Sequence, residues 1–120
     1  MKMSTDNCIF CKIVLGEIPC RKVYEDDELL AFHDIHPVAP VHFLMVTKEH
    51  IDSMAYLDSR HAGVMGRMMV MVHGLAAQQG STDGFRIVCN TGRVGRQDVF
   101  HLHVHVLGGP GPLPGMIARA

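Results

Sequence analysis

The chain has almost no excess of charge of either sign. Its 120 residues carry a formal net charge of -1, so it lacks the electrostatic footprint of a protein that binds duplex nucleic acid or an anionic membrane. No apolar run approaches the ~20 residues a membrane-spanning helix needs, and the opening stretch MKMSTDNCIFC lacks the apolar segment of a secretory signal. These absences predict a cytoplasmic protein with no nucleic-acid and no membrane partner. There is no internal repeat, low-complexity tract or linker, which predicts one domain over residues 1–120. Cysteine is sparse, at Cys8, Cys11, Cys20 and Cys89. In a reducing compartment these are not disulfide staples, and the Cys8-x-x-Cys11 pair reads as metal-binding, redox-active or simply buried.

What the sequence does contain is 48% hydrophobic and 19% charged residues, the balance of a globular core. CIFCKIVLG predicts a short N-terminal helix ending at Gly16, and CRKVYE with ELLAFHD predicts a hairpin turning at Asp26 and Asp27. VHFLMVTK is a third strand. From an N-cap at Asp58 or Ser59, residues Met65, Met68, Met69, Val72, Leu75 and Ala76 recur with helical period up to a stop at Gly80. GFRIVCN and DVFHLHVHVL then predict two strands joined by TGRVGRQ. The expected fold class is α+β, a mainly antiparallel five-stranded sheet with one long helix and a short N-terminal one.

The last strand spends three histidines on alternate positions. In extended chain, His101, His103 and His105 share one face while Leu102, Val104 and Val106 share the other. The apolar face is core, and the imidazole face needs another reason. One zinc held by all three is strained, because the outer pair lies about 13 Å apart along a straight strand while each zinc–nitrogen bond is about 2.1 Å. A division of labour fits better: one structural imidazole and two acting on a substrate. Neutral imidazole, with an ordinary pKa of about 6.5, is a competent nucleophile towards phosphorus. The loop NTGRVGRQD before it has the glycine and asparagine content that lets backbone N–H groups converge on an anion. His33, His36, His42, His61 and His73 read as ordinary surface or core histidines.

HLHVHVLGG, with Gln97 upstream, resembles the signature of the histidine triad family, and the stretches FHDI and PVAPVHFL extend the likeness to its Hint branch. The resemblance implies a homodimeric hydrolase that acts on purine nucleoside phosphoramidates. In that scheme His103 attacks the α-phosphorus and is nucleotidylated, and His105 contacts the phosphate with Asn90 and Gln97 beside it. Asp34 holds the ribose hydroxyls, and Phe10, Phe32 and Ile35 lie near the base. Zinc-bearing members further imply one structural zinc per chain on Cys8, Cys11, His50 and His101.

Two residues depart from the branch. Arg96 stands where a glycine is usual, and Asp98 where serine or another small polar residue is usual. An ionised Asp98 beside the reacting phosphate would repel it unless the carboxylate points to the leaving group or Arg96 neutralises it. The expectation is a preference for amine over polyphosphate leaving groups, with Asp98 part of the catalytic set. Two alternatives stand beside the phosphoramidase reading: a dinucleoside polyphosphate hydrolase, and a module that binds nucleotide and zinc without physiological turnover.

Overall fold

A computed structural model of the chain describes residues 7–117; the first six residues of the opening stretch and the last three of the tail lie outside the described residues. Helix α1 (Ile9–Val14) precedes strands β1 (Lys22–Glu25), β2 (Leu29–His33) and β3 (Val41–Thr47). Two 3-10 turns, Met54–Tyr56 and Ser59–His61, lead into helix α2 (Ala62–Gln78), followed by β4 (Arg86–Val88) and β5 (His103–Gly108). All pairings are antiparallel, and the sheet runs β1-β2-β3-β5-β4. The α+β class, the five strands and both helices match expectation. Among the described residues no helix is long and apolar enough to cross a membrane.

Strand alternation assigns two faces. Leu29, Ala31, Phe43, Met45, Val104 and Val106 face α2, where they bury Met68, Val72, Leu75 and Ala76. Leu30, Phe32, Leu44 and Val46 face the other way and pack on Cys8, Phe10 and Cys11 of the α1 region. The central strand β3 is covered on both sides and all seven of its residues are buried, which is why it reads as a continuous apolar run. Because Val104 and Val106 belong to the α2 side, His103 and His105 belong to the α1 side.

Two boundaries and one face assignment differ from the sequence reading. Asp58 caps the turn Ser59–His61 rather than α2 itself: its side chain accepts the Arg60 N–H, while the His61 imidazole accepts the Asp58 N–H. Met69, counted in the apolar stripe, is 41% exposed. Strand β5 begins at His103 instead of Asp98, so His101 lies just before the strand it was expected to share. There the ladder is diverted: the Thr47 carbonyl accepts the His101 ring Nε2–H at 2.7 Å, and Leu102 N–H donates to the Ile51 carbonyl at 2.7 Å.

Candidate active site and metal centre

The Cys8-x-x-Cys11 spacing wraps one turn at the start of α1, where the Cys8 sulfur accepts the Cys11 N–H. His50, just past β3, and His101, just before β5, close around the two thiols. Cys8 Sγ lies 3.3 Å from His101 Nδ1, and Cys11 Sγ lies 3.2 Å from His50 Nδ1. All four donor atoms fall within 4.8 Å of one another. Tetrahedral zinc, with bonds of about 2.3 Å to sulfur and about 2.1 Å to nitrogen, needs ligand atoms this close.

The tautomers fit as well. His101 donates its Nε2–H to the Thr47 carbonyl, and His50 donates its own to the Asp52 carboxylate at 2.7 Å. Each ring therefore turns an Nδ1 lone pair toward the sulfurs, the outer-shell arrangement that orients metal-bound imidazoles. Burial pushes the His101 imidazole down to about 4, so it stays neutral as ligation requires. With Cys8 and His101 fully buried and four protein donors converging, the cluster is of the closed type that is compatible with zinc.

Two residues along, His103 is buried and donates Nδ1–H to the His101 carbonyl at 2.8 Å. A carbonyl can only accept, so in the neutral ring Nε2 carries the lone pair. The Phe10 ring stands edge-on to the imidazole, with centroids 5.0 Å apart at 77°. Asp98 Oδ1 lies 3.4 Å from that Nε2.

His105 has the opposite polarity, and the cause is a residue the sequence reading left among ordinary histidines. His42 Nδ1 accepts the Val38 N–H at 3.1 Å, which fixes its hydrogen on Nε2. That Nε2 lies 3.0 Å from His105 Nδ1 and 3.3 Å from Asp34 Oδ2. His105 Nδ1 is therefore the acceptor and its Nε2–H a donor. Burial lowers the pKa of both His42 and His105, and Asp34 opposes that shift only in part. Asp34, His42 and His105 also lie close enough to hold an ion, but both His42 nitrogens are committed, so the trio is a hydrogen-bond relay. His42 was hard to find in the sequence because its place depends on register: Leu44, not His42, is the direct partner of His105.

These groups form one end of a cleft of about 310 Å³. Ile9, Phe10, Ile13, Ile18 and Phe32 make its apolar wall; Asp34, Asp98, His103 and His105 make its polar end. Phe10 and Phe32 meet edge to face at 5.7 Å, and Ile35 stands 85% exposed at the rim. The volume and the split between greasy wall and few polar groups are those of a small-molecule site.

Asn90 and Gln97 do not line this cleft. The buried Gln97 amide donates to the carbonyls of Asp52 and Val99, at 2.7 and 3.0 Å, and accepts the Gly92 N–H at 2.9 Å. Its capacity is spent on tying the glycine loop to the segment after His50. Within the loop the N–H groups of Gly95, Arg96 and Gln97 donate to carbonyls at 91, 93 and 92, so these three amides are not turned to the cleft. Arg96 has φ 60°, a left-handed conformation that suits the glycine usual at this place. It forms no ion pair with Asp98 among the described residues, so that neutralising contact is absent.

Comparison with known proteins shows the family. The model of the HIT domain matches residues 15–111. Protein HitA of Neisseria gonorrhoeae is 50% identical over 105 residues, 88% of this chain and 98% of that one. A 14 kDa zinc-binding protein of Zea mays is 44% identical over 103 residues, 84% of this chain and 80% of that one. Among solved structures, a HIT family hydrolase from Legionella pneumophila superposes with a TM-score of 0.82 at 39% identity, covering 88% of this chain and all of that one. The chain belongs to the HIT-domain family, a class defined by the histidine triad seen here in His101, His103 and His105.

Proposed function

We propose that the chain is a hydrolase that binds purine nucleotides and cleaves nucleoside phosphoramidates through a nucleotidyl-histidine intermediate. The observation that carries this reading is the opposed polarity of neighbouring imidazoles: a lone pair on His103 Nε2 and a donor on His105 Nε2. His103 Nε2 forms a bond to the α-phosphorus while the bond from phosphorus to the leaving nitrogen breaks. The electron pair leaves with that nitrogen, which takes up a proton from solvent. Water then attacks the phosphorus, its oxygen stays on the nucleoside monophosphate, its protons go to solvent, and imidazole is released with its Nδ1–H still on the His101 carbonyl.

In this reading His105 donates to a phosphoryl oxygen, and Asp34 accepts from the ribose hydroxyls. Phe10, Phe32 and Ile35 flank the base. Gln97, with Asn90 near it, acts as a positioning residue for the loop. One structural zinc per chain, bound by Cys8, Cys11, His50 and His101, locks α1 to the sheet; the name of the Zea mays relative supports this, as that of the Legionella neighbour supports a hydrolase. We further propose a cytoplasmic homodimer, each chain one triad domain over residues 1–120; molar mass in solution checks the dimer.

The test is an adenosine 5′-phosphoramidate. Native protein should release AMP catalytically, and a rapid quench should trap adenylate on His103. His103→Ala should lose turnover while keeping its fold and nucleotide affinity. Label on His105, or near-normal turnover in the variant, would overturn the assignment.

A further inference from the structure

Under the proposed function the cleft takes an anion, yet among the described residues it presents no lysine or arginine. Among the described residues its ionisable lining consists of the carboxylates Asp34 and Asp98, four histidines and Cys20. In the glycine loop the N–H groups of Gly92, Gly95, Arg96 and Gln97 are used within the loop. Asp98 is placed to act on the reacting centre. Its Oδ1 accepts the Val99 N–H at 2.9 Å, which fixes the carboxylate 3.4 Å from the His103 Nε2 lone pair. Its side chain is 75% exposed, so it stands on the solvent side of the nucleophile. Phe10 and Phe32 of the apolar wall are buried.

Resting on the phosphoramidase reading, we propose that Asp98 is a specificity-determining residue that reads the charge of the leaving group, favouring amines with a cationic far end and rejecting anionic ones. In-line displacement sends the leaving group away from His103. With base and ribose held against Phe10, Phe32 and Asp34, that group departs through the open side that Asp98 guards. An amide N–H and a distal ammonium are attracted to the carboxylate; a distal carboxylate or a polyphosphate chain meets it with no cation between. A zwitterionic substrate, anionic at phosphorus and cationic at its amine, is the species that a cleft with two carboxylates and no fixed cation suits. The same feature disfavours dinucleoside polyphosphates, whose leaving groups are entirely anionic.

The experiment uses three adenosine 5′-phosphoramidates whose leaving amines have equal length and end in ammonium, methyl or carboxylate. kcat/KM is measured for the native protein, Asp98→Ser and Asp98→Asn at low and high salt. Asn keeps the acceptor for the Val99 N–H, so it removes charge without removing the turn. The native protein should prefer the ammonium substrate to the carboxylate one by about tenfold or more at low salt, less at high salt. Both variants should bring that ratio to within about twofold. An unchanged ratio in the variants, or no preference in the native protein, overturns the role of Asp98 while the hydrolase reading stands. No turnover of any of the three overturns the hydrolase reading and this one with it.

Discussion

At the scale of single residues, the proposed function is a matter of which ring nitrogen holds the proton. His103 and His105 are two positions apart on one strand face, yet one is an acceptor and the other a donor because their neighbours differ: the His101 carbonyl for the first, the His42 ring for the second. His42 touches no substrate in this reading and is a positioning residue. His42→Ala should lower kcat at least about tenfold with little change in KM, because a randomised His105 tautomer weakens a contact that matters most in the transition state. The pH dependence supplies a separate readout. Both His42 and His105 are depressed by burial, so as pH falls below the ordinary imidazole value of about 6.5 the unfolded chain takes up these protons first. Stability therefore falls with pH from there down through the lower folded values. Urea midpoints at pH 7.5 and pH 5 should differ more for the native protein than for His42→Ala; equal differences would mean that the relay does not titrate with folding.

At the scale of elements, the proposed metal centre would work as a clasp. It joins α1 through Cys8 and Cys11, the end of β3 through His50 and the approach to β5 through His101. α1 has only six residues, too few to hold its shape alone. Its place over the sheet depends on this clasp and on Phe10. Zinc at 1,000-fold over its Kd would stabilise the fold by about 4 kcal/mol, which for a chain of this size corresponds to roughly 10 °C or more in Tm. Cys11→Ser, or treatment with a strong chelator, should lower Tm by that amount. It should also lower kcat, because the His101 carbonyl that orients His103 moves with the ligand. Metal-free protein as isolated, with a Tm indifferent to chelator, would refute the clasp.

The same elements show what the sequence could and could not tell. The Cys-x-x-Cys pair and the alternating histidines have local signatures, so the two thiols and the triad were legible from the residues, whereas His50 joined the cluster only through the family resemblance. The start of β5 was not, because it depends on the Thr47 carbonyl accepting a side chain from 54 residues away. The glycine loop looked like a phosphate binder by composition, and Gln97 by the family resemblance. Their hydrogen bonds turn out to face inward, which only the three-dimensional closure of the loop on Asp52 decides.

At the scale of the whole molecule, one sheet serves two duties on its two faces. The α2 face is dry and closed around Met68, Val72, Phe43 and Val104, none more than 1% exposed. The α1 face carries the clasp at one end and the open cleft beside it, so stability and chemistry divide across a single layer of strands. Substitutions on the two faces should leave opposite signatures. Met68→Ala removes most of a fully buried side chain and should cost about 2–5 kcal/mol, but it lies across the sheet from the imidazoles. Well below its lowered Tm it should keep kcat/KM within about twofold. Phe10→Leu roughly conserves volume and should cost less than about 1.5 kcal/mol. Yet it removes the ring that meets both Phe32 and His103, so under the proposed function the nucleotide would lose an aromatic contact at the base and the nucleophile an edge-on neighbour. KM should rise and kcat should fall together. Steady-state kinetics and denaturation of the two variants side by side decide the matter: if Met68→Ala disturbs KM as much as Phe10→Leu does, the faces are coupled through the sheet and the division does not hold.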